Sequence, residues 1–372
     1  MATVAVDINP ATRAVVTGTE KFTREVCRRL PAAAPDLRWR FLASRPKAGL
    51  GVDELVIPQR RLWSQVRLPL ALLPERPDLL FVPAHVIPYA WPGKVLTVVH
   101  DLAFEKFPDA YAFAERSYLR LSTRWAVMRC KLLVAVSETT KRDLIDLYGV
   151  PEDRVRVVPL GMDPPSVTPA AASRLAELGI DGKFLLQVGR IEKRKNQLAA
   201  VAAVERLDGV KLVVAGPERD PELSAQLRGS AHARVLGMVD QSTLELLYNE
   251  AAAVIVPSLY EGFGLPVLEA MARGKVVVAA MASSLPEVGG EAVLYYHPAA
   301  DPAHVAQVLE TAIDDRALRT RLAKAAQARA AKFTWDRTAR DIAAVIKELV
   351  GPRGSMPPRS GPGQARPAAP PR

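Results

Sequence analysis

Short apolar runs alternate along the chain with segments whose apolar positions recur at helical spacing. In the first half the runs are Val4–Ile8, Leu79–Val82, Val95–Val99 and Leu132–Val136, with helical patterns at Thr19–Leu30 and Thr139–Tyr148. A polar, proline-containing stretch, Gly161–Ala171, then reads as a linker. A second series follows it: Phe184–Val188, Leu212–Ala215, Val235–Leu236, Ala252–Val256 and Val276–Ala280, separated by helices such as Gln197–Arg206 and Ser242–Asn249. Alternation of this kind predicts parallel α/β structure. The chain divides into a first domain over 1–165 and a second over 166–333. Beyond the helices of 302–331, Phe333-Thr334-Trp335-Asp336 opens a last helix, 334–350, and the Pro-, Gly- and Ala-rich tail 351–372 is predicted to be disordered.

Composition narrows the setting. The 372 residues, 49% of them hydrophobic, suffice for two ordinary cores. Cys27 and Cys130 are the only cysteines, which excludes a disulfide framework and a thiolate zinc cluster and points to a reducing compartment. Met1–Asp7 enters a strand pattern directly, without the basic and long apolar regions of a signal peptide. Leu79–Gly93, the least charged long stretch, is too short to span a membrane and is broken by Pro83, Pro88 and Pro92. The expected location is therefore cytoplasmic. The formal charge of +10 comes in part from Arg353, Arg359, Arg366 and Arg372 in the tail. Aromatic residues are few and are not interleaved with basic ones in a recognisable module, so nucleic acid is not an expected partner. Two basic-aromatic patches stand out: Arg116, Arg120, Arg124 and Arg129 beside Trp125, and Arg60, Arg61 and Arg67 beside Trp63. Each reads either as a salt-bridged surface or as a peripheral contact with anionic lipid at the inner face of a membrane.

The segment Val256–Gly274, VPSLYEGFGLPVLEAMARG, carries the most chemistry. Pro257 ends a buried strand, Pro266 suits the first turn of a helix, and Gly274 closes that helix before the next strand. The turn then lies at the carboxyl edge of a parallel sheet, with the free N–H groups of the helix start pointing out of it, which favours an anion. Gly262 and Gly264 permit close backbone approach, and Glu269 is expected in the first helical turn. Ionised carboxylates at Glu261 and Glu269 only accept hydrogen bonds, so they call for hydroxyl donors. A diphosphate on the helix start with polyol hydroxyls on the carboxylates describes a nucleotide sugar better than a dinucleotide or ATP; the alternative is a solvated turn residue at Glu261 and a helix-dipole partner at Glu269.

The same stretch resembles the Glu-x7-Glu signature of the family 4 retaining glycosyltransferases, and the spacing matches in full. The resemblance runs from about Val4 to Leu349. It implies the GT-B fold, two Rossmann-like domains facing across a cleft, with a C-terminal helix crossing back onto the first. It also implies that Glu261 contacts hydroxyls of the donor sugar, that Glu269 binds the nucleotide ribose, and that the amides of Phe263, Gly264 and Leu265 lie beside the sugar and diphosphate.

Arg190 and Lys195 leave a buried strand where a helix begins, a phosphate-binding location. They match the arginine and lysine that neutralise the donor diphosphate in the family, while Lys193 and Arg194 read as a solvated basic loop. His100-Asp101 ends an apolar strand at the cleft edge, where a histidine is able to shuttle a proton. The pair resembles the family's His-Asp pair near the anomeric carbon and acceptor. Gly18 resembles the family's N-terminal glycine turn, Ser137 reads first as a helix N-cap, and Met238 and Val239 follow a strand where family members contact the nucleobase through backbone groups. The expected activity is transfer of a hexose with retention from a GDP-mannose or UDP-glucose type donor to a glycan or lipid-linked acceptor. No cofactor and no metal is implied: no Asp-x-Asp motif ends a strand, and Arg190, Lys195 and the helix start can offset the leaving charge. An epimerase or hydrolase of the same shape, and a non-catalytic partner subunit, stay open. A dehydrogenase is disfavoured because no Gly-x-Gly-x-x-Gly follows Val4–Ile8.

Overall fold

The computed structural model describes residues 1–12, 18–46, 50–58, 62–162, 164–165 and 172–351. Most of the linker 161–171, Arg60 and Arg61, and the tail beyond 351 lie outside the described residues. Two sheets carry the chain. The first contains β1 (Thr3–Asp7), β2 (Arg38–Ala43), β3 (Glu54–Val56), β4 (Leu79–Val82), β5 (Val95–Val99), β6 (Leu133–Ala135) and β7 (Val155–Val157), in the order β3-β2-β1-β4-β5-β6-β7. The second contains β8 (Lys183–Val188), β9 (Val210–Ala215), β10 (Ala233–Gly237), β11 (Ala253–Val256), β12 (Val277–Ala280) and β13 (Leu294–Tyr296), in the order β10-β9-β8-β11-β12-β13. Every pairing is parallel. Central strands such as β4, β5, β11 and β12 are buried throughout, as all-parallel sheets require, which is why they read as unbroken apolar runs.

Four strands escaped the pattern, β2, β3, β7 and β13. Three of them form sheet edges, and β2 is half-exposed at Arg38-Trp39-Arg40, so charge and partial exposure break the apolar run. Strand order reverses between β1 and β4 in the first sheet and between β8 and β11 in the second. Loops leaving the carboxyl ends of strands at such a switch point diverge to opposite faces and open a crevice. In the N-terminal domain 83–85 leaves β4 at the switch point and 100–101 leaves the adjacent β5; in the C-terminal domain 189–196 leaves β8 and 257–264 leaves β11.

The chain crosses between the domains twice, side by side. Met162 N donates to the Phe333 carbonyl at 3.1 Å, and Met162 bridges Thr334 in parallel. Gly161 permits that approach, since a Cβ there would lie 2.2 Å from Trp335 N. The last helix, Trp335–Val350, then packs on the N-terminal domain: the Trp335 ring meets Phe22 edge-on at 6.3 Å, and Arg156 pairs with Glu348 at 2.7 Å. One apolar cluster accordingly holds Val4, Phe22, Phe263 and Trp335, from both domains. No helix among the described residues is long and apolar enough to cross a membrane.

Candidate active site

The second switch point concentrates charge. Glu261, in the turn after β11, is buried, and its Oε1 accepts from Ser258 Oγ at 2.7 Å and from Lys195 Nζ. Arg194 Nη1 reaches its Oε2 at 3.5 Å and donates to the Tyr260 carbonyl at 2.8 Å. Burial alone would raise the Glu261 carboxyl, but Lys195 and Arg194 hold it below the ordinary carboxylate range. Burial pulls Lys195 below the usual lysine value against the opposing pull of Glu261. The reading of Lys193 and Arg194 as a solvated loop is half corrected. Lys193 is exposed, whereas Arg194 is buried between Glu192, at 2.7 Å, and Glu261. A charged head group enters the interior only when paired, and the two glutamates pair this one. Arg190 differs from both neighbours. It is half-buried, Gln197 Nε2 holds its carbonyl at 2.8 Å, and no carboxylate of a described residue pairs with its guanidinium.

Glycines shape the turn. A Cβ on Gly262 would sit 1.8 Å from the His100 carbonyl oxygen, so its close approach is to the opposite domain's backbone. Gly264 has φ +104°, caps the helix Leu265–Ala272, and has Leu285 within 3.0 Å of the place of a Cβ. The Phe263 ring packs edge-on to Phe333 at 5.9 Å, and the residue is buried. The amides of Phe263, Gly264 and Leu265 find no backbone acceptor among the described residues.

Glu269 falls in the second turn of that helix, not the first as the sequence suggested, because the helix begins at Leu265. The difference turns its carboxylate toward Tyr248, whose hydroxyl donates at 3.0 Å, and toward Lys21 of the N-terminal domain at 2.8 Å. Burial would raise the Glu269 carboxyl, and Lys21, then Arg273, bring it below the ordinary range. Arg273 is itself buried against Glu245 and over the Tyr248 ring.

The facing wall carries His100 and Asp101 after β5. His100 Nε2 lies 2.8 Å from the Pro83 carbonyl. A carbonyl only accepts, so Nε2 carries the proton and Nδ1 is the acceptor. Phe22 packs edge-on to the ring at 5.0 Å, and burial lowers the histidine's pKa against the opposing Pro83 carbonyl and Asp101. A neutral ring results. Asp101 Oδ1 accepts from Ala103 N at 3.1 Å. Beside them, His85 stacks on Phe104, its Nε2 is buried without a partner, and burial pushes its pKa down to about 4.

The two walls touch. Ser137 Oγ caps its helix by accepting from Thr140 N at 3.0 Å and also donates to the Gly262 carbonyl at 2.6 Å. Glu287, from the C-terminal domain, accepts from Glu138 N at 2.8 Å and Thr139 N at 2.7 Å, the start of the same helix. Tyr260 accepts from Leu102 N at 3.2 Å and donates to Asp143 at 2.6 Å. Gly18 stands opposite Leu265, 3.5 Å from the place its Cβ would take. Met238 and Val239 follow β10, three strand spacings from β11, about 14 Å. Thus Glu261, Lys195, His100, Asp101, Gly262 and Gly18 converge, with Arg190 on the loop that carries Lys195 and the 238–239 turn at one end. Lys21, Asp143, Glu287 and His85 carry no signal in the sequence, because their roles depend on contacts across 117 to 248 positions or on an orphaned ring nitrogen. No group of three or more His, Cys, Asp or Glu among the described residues could hold a metal ion.

Residues 175–329 match the family model for glycosyl transferases group 1, and residues 16–165 match that for glycosyltransferase family 4. An O-antigen chain mannosyltransferase B of Escherichia coli is 29% identical over 297 residues, 76% of this chain and 75% of that protein. A D-inositol 3-phosphate glycosyltransferase of Acidothermus cellulolyticus is 36% identical over 244 residues, 59% of this chain. The match spans about half of that relative, 54% of its length. In fold, the chain is similar to HepE of Anabaena in complex with UDP-glucose, with a TM-score of 0.75 at 17% identity over 94% of this chain and 100% of the other.

Proposed function

The chain belongs to the family 4 glycosyltransferases of GT-B fold, and on that premise we propose that it transfers a hexose, with retention, from a nucleoside diphosphate sugar. The acceptor is a hydroxyl of a growing glycan, a glycolipid or a polysaccharide precursor. The observation that carries this reading is the buried Lys195–Glu261–Arg194 cluster beside the start of the helix Leu265–Ala272, with Arg190 unpaired on the same loop. The helix start and Arg190 suit the diphosphate. Glu261 orients sugar hydroxyls, Glu269 takes the ribose in place of Lys21 or beside it, and the turn at Met238 and Val239 meets the base. Mannose and glucose are the favoured sugars, after the names of the Escherichia coli relative and of the ligand held by HepE.

Glu261 is a poor nucleophile for a double displacement, because two cations and a serine already occupy its oxygens. Attack on the donor's own face, with the leaving diphosphate oxygen taking the acceptor proton, needs no protein base. Positive charge fixed before the reaction then stabilises the leaving group. His100 serves as a neutral acceptor of a hydroxyl hydrogen bond through Nδ1. Metal is not required in this scheme, so EDTA is expected to leave turnover unchanged, and strict dependence on an added divalent ion would refute the cation argument.

A thermal-shift series with nucleoside diphosphate sugars tests the donor. At least one hexose donor is expected to raise the melting temperature, and the product anomer, read by proton NMR, is expected to keep the donor's configuration. Release of free sugar alone, or an inverted product, would count against the reading.

A further inference from the structure

Fourteen large apolar side chains are exposed among the described residues, and eight of them fall in two helical segments of the N-terminal domain. Leu62, Val66, Leu70 and Leu73 line the outer side of the stretch around Trp63–Leu72, whose inner side is Trp63, Leu68 and Leu72. A helix apolar on both sides belongs in an interior or an interface, not in water. Phe113, Tyr118, Leu121 and Met128 are exposed on the helix Phe113–Arg129. Both segments brace one connection: Gln65 Oε1 accepts from Tyr89 N at 3.0 Å, and the Tyr89 ring meets Trp125 at 5.7 Å with its hydroxyl 3.1 Å from Ser122 Oγ. They therefore share one side of the domain.

Charge identifies what covers that side. Arg67, Arg124 and Arg129 are exposed among the apolar residues, and Arg60 and Arg61 precede the first segment in sequence. No acidic residue occurs between Arg60 and Pro74, and Glu115, the one acid of the second helix, is bound by Arg219 at 2.8 Å. A second copy docking through this face would set arginines against arginines, since a two-fold interface opposes a patch to itself. An anionic bilayer satisfies both features, with apolar side chains entering the acyl boundary and guanidinium groups on the phosphates.

We propose that this face of the N-terminal domain docks on an anionic lipid surface. The helix Phe113–Arg129 begins at the cleft, where Glu115 reaches Arg219 of the C-terminal domain and the Tyr111 ring lies 5.1 Å from the Arg219 guanidinium. A docked bilayer thus borders the site and presents an amphiphilic acceptor to it. The docking itself stands apart from the transferase reading, because binding is measured without donor or acceptor.

The test is co-sedimentation of the full chain with vesicles of phosphatidylcholine alone and with equal parts phosphatidylglycerol, at low and high salt. Binding to the anionic vesicles that weakens with salt is expected. Leu70→Glu with Leu121→Glu is expected to cut it by about tenfold or more at an unchanged melting temperature. Arg67→Gln with Arg124→Gln, which leaves the apolar side chains in place, is expected to weaken binding and flatten its salt dependence, and it carries the test if the first pair fails to fold. Absence of binding to anionic vesicles would overturn the proposal. So would binding that neither pair weakens, which would place the contact elsewhere, or a dimer in light scattering that the leucine substitutions dissociate.

Discussion

Around the turn after β11, acids and bases neutralise one another: Lys195 and Arg194 on Glu261 and Arg273 on Glu245 with buried side chains, and Lys21 on Glu269 as a half-buried pair. Across the cleft the half-buried rings of His100 and His85 are both pushed toward the neutral form by burial, beside the buried Asp143 that Lys106 pairs at 2.9 Å, with Ser137 and Tyr260 bridging. Both walls use the same device, loops at the carboxyl ends of strands beside a switch point. On the proposed function, the difference lies in what each wall is to hold. A diphosphate brings charge that fixed cations can meet at no reorganisation cost, whereas a hydroxyl needs only a neutral acceptor and room.

Substitution on the charged wall should have the largest effect. Lys195→Met is expected to lower kcat by about 10²–10³-fold, as removal of a preorganised charge does. Glu261→Ala adds a stability cost of about 3–5 kcal/mol, because Lys195 and Arg194 stay buried without their partner. Urea titration reads the second effect, and equal stability of Glu261→Ala and wild type would remove the buried pair from the account.

The seam between the walls comes next. Gly262→Ala places a methyl group against the His100 carbonyl, and a shift of about 1 Å there is expected to cost on the order of 10²-fold in kcat/KM. Small-angle scattering should show the domains farther apart in that variant, and wild-type rates would mean that the contact is not kept during turnover.

The neutral wall should reveal itself through pH. The folded pKa of His85 lies near 4, below its ordinary 6.5, so the unfolded chain takes up the proton first. Stability is then complete above about pH 6.5 and declines as pH falls toward 4, by on the order of 1–3 kcal/mol from this residue. His85→Leu is expected to flatten that decline. The depressed carboxyls act lower: their contribution is present above the ordinary carboxylate pKa and is lost only as acid protonates them in the folded state. Smallest of all, Glu287→Ala removes the acceptor of Glu138 N and Thr139 N while Ser137 still caps the helix Glu138–Tyr148, and it is expected to cost about 1 kcal/mol in melting experiments.

The charged wall was also the legible one. Glu261, Lys195 and Gly262 stand at fixed spacings on loops that directly follow strongly apolar strands, so local pattern placed them at the sheet edge and the family resemblance singled them out there. Edge strands such as β3 and β7 carry charge and escaped the pattern, and the second-turn position of Glu269 depended on where one helix begins. Arg194 was misread because four polar residues in a row, Glu192 to Lys195, resemble a surface loop until Glu192 and Glu261 are seen to close on it. On the neutral wall the determinants are tertiary: Pro83 sets the His100 tautomer, Glu287 caps a helix 148 positions away, and His85 is isolated by its neighbours. None of these relations has a fixed spacing to read.

In the proposed function the donor diphosphate settles on Arg190 and the start of the helix Leu265–Ala272. Calorimetric titration of the uridine and guanosine diphosphates into wild type and Arg190→Met tests it most directly. At least one nucleotide is expected to bind wild type, and the variant to bind it about 10–100-fold more weakly, the value of a charge-assisted contact. Equal affinity in the two proteins, or no binding of either nucleotide to wild type, would contradict it.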